Sequence, residues 1–128
     1  MREIRTLLII EAVAFALASL THFGVLIDGF EDPGAGTAEG VIGAVLAAGL
    51  VATFALPAWT RAIGLVVQGF ALAGTSIGLY LVLRGIGPNT VPDVVFHVGI
   101  FAFLVLGLVV TARLPRDRAR GSVDSPRA

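Results

Sequence analysis

Four polar side chains within otherwise apolar sequence are candidates for binding a ligand or transferring a proton. Glu11, His22, Gln68 and His97 each interrupt a long apolar run. An ionisable residue at membrane depth costs about 3 kcal/mol unless it faces a partner, water or a ligand. Binding or proton transfer by this chain is therefore expected at these positions.

Two histidines are predicted to lie at the same depth near the outer surface. His22 is five residues before the end of the first apolar run, and His97 is six residues after the start of the last. At a helical rise of about 1.5 Å per residue, both histidines lie about 8 to 9 Å below the outer ends of their predicted spans. Asp93 precedes His97 by four residues and shares its helix face, while Glu39 enters from the second run at a slightly shallower depth. We expect these four residues to form one site if the first, second and fourth runs converge.

Two imidazoles and two carboxylates suit a divalent metal such as zinc, iron, manganese or copper. The histidines could instead bind haem b axially from opposite sides, with Asp93 orienting His97. Other interpretations stay open. Asp93 and Glu39 could simply be first-turn acids that complement the helix dipole, and each histidine could hydrogen-bond across the bundle or act as a proton relay or pH sensor.

Glu11 and Gln68 are predicted to meet at a second, deeper level. Glu11 is eleven residues before His22, so the two are about 16 Å apart along one helix. Gln68 reaches the depth of Glu11 on an antiparallel span, and a hydrogen bond between them would satisfy both groups in lipid. The alternative is that both line a proton or small-solute path together with Thr75, Ser76 and His22.

The elements that position these residues are predicted from composition and length. The chain of 128 residues is 56% apolar and 14% charged, with a mean hydropathy of +0.92, which excludes an ordinary soluble domain. About twenty apolar residues suffice to cross a bilayer. The sequence predicts an all-α, up-down bundle of four transmembrane helices within residues 1–113, with spans at about 4–27, 38–56, 59–83 and 91–112.

Local signals predict where the spans begin and how they pack. Thr37 is expected to cap the second helix, and Thr90 the fourth, where Pro92 and Asp93 follow in the first turn. Small residues let helices approach closely inside the bundle or in a homo-oligomer. Such residues recur at Gly74 and Gly78 in the third span and at Gly40, Gly43, Ala44, Ala47 and Ala48 in the second.

The arginines predict the orientation. Eight of the nine lie on one side of the predicted spans, and the opposite side carries Asp28, Glu31 and Asp32 with Arg84 as its only base. The positive-inside rule then gives cytoplasmic N- and C-termini. Residues 114–128 are expected to form a disordered cytoplasmic tail. Exclusive use of Arg over Lys, with abundant Ala, Gly and Val, favours a prokaryotic cytoplasmic (inner) membrane.

Motifs for other chemistry are missing from the sequence, which has no cysteine, no Walker loop, no GxSxG, no HExxH and no basic face for nucleic acid. Enzymatic activity is therefore not favoured. The expected function is a small membrane protein with a metal or haem site, serving as an accessory or electron-transfer subunit in a homo-oligomer or larger membrane complex. A small proton-linked transporter or channel-like protein, or a purely structural subunit in the lipid bilayer, are the alternatives.

Overall fold

The structure is a computed structural model that describes residues 1–87 and 90–115. Its regular elements within those residues are all helical: α1 (Arg2–His22), α2 (Pro33–Ala55), a 3₁₀ turn (Pro57–Trp59), α3 (Thr60–Leu83) and α4 (Val91–Arg113). Each of the four long helices is long and apolar enough to cross a membrane. The predicted all-helical architecture with four such helices is confirmed. Residues 116–128, most of the predicted tail, lie outside the described residues.

The helices form a bundle in which α1 packs most extensively on α2, and α3 packs on α4 and α2. The core at their centre is almost inaccessible and consists of Ile4, Leu8, Phe15, Ile42, Leu46, Val67, Ala71, Ile100 and Leu104. Large apolar side chains also cover the outside, and more than half of the surface of each of Val51, Val66, Ile77 and Val95 is exposed. A surface this apolar favours contact with lipid.

The first helix ends at His22, earlier than the predicted end at Ile27. Gly24 adopts a φ of +70°, a left-handed conformation that suits glycine and stops the helix. The following segment folds back over the helix end, where the Asp32 amide donates to the His22 carbonyl at 2.9 Å. His22 therefore lies at the end of a helix and is covered by a loop.

The second helix begins at Pro33, because Asp32 and not Thr37 is its N-cap. The Asp32 carboxylate accepts from the backbone amides of Gly34 at 3.0 Å and Ala35 at 3.1 Å. Pro33 fits the first helical position, where no amide hydrogen is needed. Thr37 lies inside the helix and donates to the Pro33 carbonyl. The prediction of a Thr37 cap is wrong, since the acid and proline upstream provide a stronger start.

The new start changes the interpretation of Glu39. This residue is seven positions after the Asp32 N-cap, about two turns into the helix. The helix dipole acts within the first turn, so it does not account for an acid here. In contrast, Asp93 is in the first turn of α4, where Thr90 and Asp93 form the predicted cap reciprocally.

Replacement of Asp32 by alanine should lower the free energy of unfolding by about 1 kcal/mol, because two backbone amides lose their acceptor. Asp32→Asn keeps an acceptor and should cost much less. Thr37→Ala is the matched control and should be near neutral. Denaturant titration of the purified variants, followed by far-UV circular dichroism, measures all three. An equal loss for Thr37→Ala and Asp32→Ala would contradict this start of α2.

Candidate functional site

A cavity of about 520 Å³ lies at the end of the bundle where α1 and α3 end and α2 and α4 begin. We call this the acidic end, because the α1–α2 connection there contains Asp28, Glu31 and Asp32. All four residues predicted to be ligands line this one cavity: His22, Glu39, Asp93 and His97. The structure thus brings together on three helices what the sequence predicted from depth alone.

His22 lies between two carboxylates. Its Nε2 atom is 3.7 Å from Oε1 of Glu39 and 3.8 Å from Oδ1 of Asp93, and all three side chains are less than a tenth exposed. These separations exceed the range of a direct hydrogen bond. Both carboxylates therefore face the His22 ring across a small gap without a direct hydrogen bond to it.

Backbone carbonyls fix the hydrogen positions on both histidines. His22 Nδ1 is 2.9 Å from the Phe30 carbonyl, and His97 Nδ1 is 2.8 Å from the Asp93 carbonyl. A carbonyl oxygen only accepts, so each Nδ1 must donate, and each ring has only Nε2 left for other interactions. In both cases this leaves Nε2 for partners on other elements, as for a histidine held ready to bind a ligand.

The Asp93 carboxylate is divided between two tasks. Its Oδ2 atom accepts from the Thr90 hydroxyl at 2.6 Å and the Thr90 amide at 3.1 Å, while Oδ1 faces His22. The sequence suggested that the Asp93 side chain could accept a hydrogen bond from His97. In the structure the backbone carbonyl of Asp93 accepts the hydrogen bond from His97 Nδ1 instead. The reason is that capping turns the carboxylate back toward the start of α4.

Glu39 differs from every other acid in the described residues. Its side chain lines the cavity, the residue is 5% exposed, and neither carboxylate oxygen has a hydrogen-bond partner within the described part of the chain. A buried carboxylate without donors is costly, and native proteins rarely keep one without a reason. The Nε2 atom of His22 lies 3.7 Å from Glu39 Oε1. Glu39 thus has unused capacity to bind a donor or a cation.

As the side chains lie, residues 1–87 and 90–115 contain no group of three or more potential ligands placed to share a metal ion. The metal or haem site therefore stays a prediction from the sequence.

Glu11 and Gln68 form a separate buried cluster toward the other end of the bundle. The Gln68 amide donates to the two Glu11 oxygens at 2.9 and 3.2 Å, as the sequence predicted. The Thr111 hydroxyl in turn donates to Gln68 Oε1 at 2.9 Å. All three residues are fully buried. Sequence reasoning missed Thr111, although a hydroxyl near the end of the last apolar run, one turn after Gly107, was the available signal.

Apolar side chains separate the two polar clusters. Each helix contributes one core residue to the layer between them: Phe15, Ile42, Ala71 and Ile100. The buried Ser19, between Glu11 and His22 in α1, donates to the Gly36 carbonyl. The other members of the predicted polar path do not bridge this layer. The Thr75 hydroxyl donates to the carbonyl of Ala71 in its own helix, and Ser76 is exposed on the outside of the bundle.

Comparison with known proteins gives no assignment, since no family model, curated protein or solved structure matches this chain. The site itself must therefore carry the argument about function.

Proposed function

We propose that this protein spans a membrane four times and binds a cation at Glu39, His22 and Asp93 in the acidic end of the bundle. The spanning proposal is supported by four apolar helices of sufficient length and by their apolar outer surface. Arginines support the orientation. Arg5 donates to the Thr53 carbonyl and Arg61 to the Ala112 carbonyl at the end opposite the cavity. The positive-inside rule assigns that end to the cytoplasm, and the use of Arg without Lys favours a prokaryotic inner membrane.

Orientation can be tested cleanly because the chain contains no cysteine. Single cysteines in place of Glu3 and Asp28, both exposed, probe the two ends. A membrane-impermeant maleimide should label Asp28→Cys in intact cells and Glu3→Cys only after permeabilisation. Labelling in the reverse pattern, or equal labelling of both, would contradict termini on the cytoplasmic side.

The observation that carries the proposed function is the unpartnered carboxylate of Glu39. Carboxylate oxygens only accept, so Glu39 is satisfied by hydrogen-bond donors or by a positive charge. Asp93 Oδ1 faces the same point from α4, and two acids converging on one imidazole attract a positively charged occupant. Burial strengthens this attraction, because screening by water is weak there. A cation is therefore the class of ligand that the site favours.

A divalent metal ion is one candidate for this cation, because two separations around His22 are close to those in a zinc site. Ligand atoms bound tetrahedrally to zinc at about 2.0 to 2.1 Å are about 3.4 Å apart. The pairs formed by His22 Nε2 with Glu39 and with Asp93 are only a few tenths of an ångström wider, at 3.7 and 3.8 Å. The backbone hydrogen bond at Nδ1 orients His22 as in many metal sites. Haem b, with His22 and His97 as axial ligands, stays a prediction from the sequence.

The test compares wild-type protein with Glu39→Gln. Protein is purified in mild detergent without a histidine tag or chelator, and bound species are measured by native and elemental mass spectrometry. Added Zn²⁺, Mn²⁺ and alkylamines are then scored by the shift in Tm. We expect a cation to raise the Tm of the wild type. The apparent affinity for that cation should be at least tenfold lower in Glu39→Gln, because this substitution removes the negative charge of the carboxylate.

Glu31→Gln is the matched control, since Glu31 is an exposed acid in the same end of the bundle and accepts a hydrogen bond from the Gly29 amide. It should bind cations like the wild type. Folded wild-type protein that carries no cation and is stabilised by none of those added would overturn the proposed function. Equal loss in both variants would do so as well, because the effect would then be general surface charge.

A further inference from the structure

We propose that the occupant of the cavity is an organic cation with an apolar body, a protonated lipophilic amine, which enters sideways from the lipid between α2 and α3. The inference rests on the proposed cation site at Glu39 and adds the chemical class of the ligand and its route. It draws on the size of the cavity, on its lining and on the position of its opening.

The cavity is larger and more apolar than a metal ion requires. Its volume of about 520 Å³ lies within the range of pockets that enclose small organic molecules. The polar residues are confined to one part, and most of the remaining wall is apolar, including Phe15, Ile42, Phe70, Val82 and Ile100. Burial of apolar ligand surface against such a wall is favourable, at about 25 cal/mol per Å². The wall thus fits a hydrocarbon or aromatic body attached to the charged group.

The polar part of the cavity fits an ammonium group. An ammonium nitrogen carries three donors when it is attached to one carbon atom. Three acceptors converge on the gap in the site: a Glu39 oxygen, Asp93 Oδ1 and, in its neutral form, Nε2 of His22. A ligand with a carboxylate head would instead meet two acids and be repelled. The site therefore selects the head group of the ligand by its positive charge. It selects the body of the ligand by shape and apolar contact.

The opening of the cavity faces the apolar outer surface. Among the lining residues, the well-exposed side chains on the two helices belong to Val41 in α2 and to Phe70, Ile77 and Leu81 in α3. Side chains that line a cavity and are also exposed mark its mouth, which here runs between α2 and α3 and reaches Ile86 in the connection after α3. In a membrane this mouth opens toward lipid, where a lipophilic amine accumulates, whereas a hydrated metal ion does not.

Glycines on α3 keep the polar end accessible from this mouth. A Cβ atom on Gly78 would lie 3.1 Å from Nε2 of His97, and one on Gly74 would lie 2.8 Å from Cδ1 of Ile42. Without these side chains, α3 leaves room beside the imidazole and packs closely on α2 at the layer below. The small-residue pair that the sequence assigned to close packing thus also shapes the cavity.

The experiment compares ligands with one tail and different heads. Wild-type protein in nanodiscs of zwitterionic lipid is titrated with dodecylamine, dodecanol, dodecanoate, butylamine and Zn²⁺, and Tm is measured. Dodecylamine at saturating concentration should raise Tm by about 5 °C or more, while dodecanol and dodecanoate should not. Butylamine should need at least a tenfold higher concentration for the same shift. Glu39→Gln should abolish the shift with dodecylamine.

Two variants on α3 test the route. Ile77→Trp narrows the proposed mouth and should reduce the dodecylamine shift, whereas Val66→Trp, at an exposed position outside the cavity lining, should not. If Zn²⁺ and butylamine act as strongly as dodecylamine, the apolar body is not recognised, and this inference fails while the cation site stands. If no cation acts through Glu39, both fail. Equal shifts with dodecanol and dodecylamine would also overturn the inference.

Discussion

Replacement of Gly107 by alanine is expected to destabilise the bundle by about 1 to 3 kcal/mol, although alanine is normally the better helix former. The added Cβ would lie 2.6 Å from Oε1 of Glu11 and 2.8 Å from Nε2 of Gln68. Both atoms are engaged with each other and fully buried, so neither side chain can move away without losing its hydrogen bond. The cost therefore combines steric overlap with disruption of a buried polar cluster.

Gly99→Ala is the matched control in the same helix. A Cβ there would have no neighbour within 4 Å, and Gly99 is exposed. This variant should be more stable than the wild type by about 0.5 to 1 kcal/mol, because alanine is the better helix former and meets no clash here. Unfolding in mixed micelles, monitored by far-UV circular dichroism, measures both. Similar stability of Gly107→Ala and Gly99→Ala would show that Glu11 and Gln68 do not occupy the space against α4.

Replacement of Gln68 by methionine should cost about 3 kcal/mol, because it removes the side chain that links Glu11 to Thr111. Methionine has nearly the same shape, so little of this loss comes from a cavity. The Glu11 carboxyl would be left in the core without its donor, and the Thr111 hydroxyl without its acceptor. The same unfolding measurement gives the value.

A double-mutant cycle separates the polar interaction from packing. Glu11→Met together with Gln68→Met removes both polar groups, and such paired replacement is often close to neutral. The double variant should therefore be more stable than Gln68→Met alone by at least about 1 kcal/mol. If the two single losses simply add, the hydrogen bond between Glu11 and Gln68 contributes nothing measurable. That additivity would also reopen the interpretation of Glu11 as part of a solute path.

The two polar clusters differ in how far the sequence revealed them. The pair of Glu11 and Gln68 was predictable from depth, because two antiparallel helices place residues at countable heights. Their third member, Thr111, was not, since which face of α4 turns toward α3 depends on packing across the whole bundle. Likewise, spacing placed His22, Glu39, Asp93 and His97 at one end, but it could not show that Glu39 lacks a partner there.

By itself, the sequence determined four long apolar helices, the cap of α4 at Thr90 and the segregation of arginines to one end. These three features depend on runs of residues and on contacts between residues three or four positions apart, which are local and can be read directly from the sequence. The start of α2 at Asp32 is also a local signal, carried by this acid and by Pro33, which the prediction of a Thr37 cap overlooked. The tertiary structure decided that Ser19 holds the added turn, since its hydroxyl donates to the Gly36 carbonyl at 2.7 Å. It also decided that a loop carbonyl orients His22 toward two acids, because that contact joins parts of the chain whose positions follow only from packing.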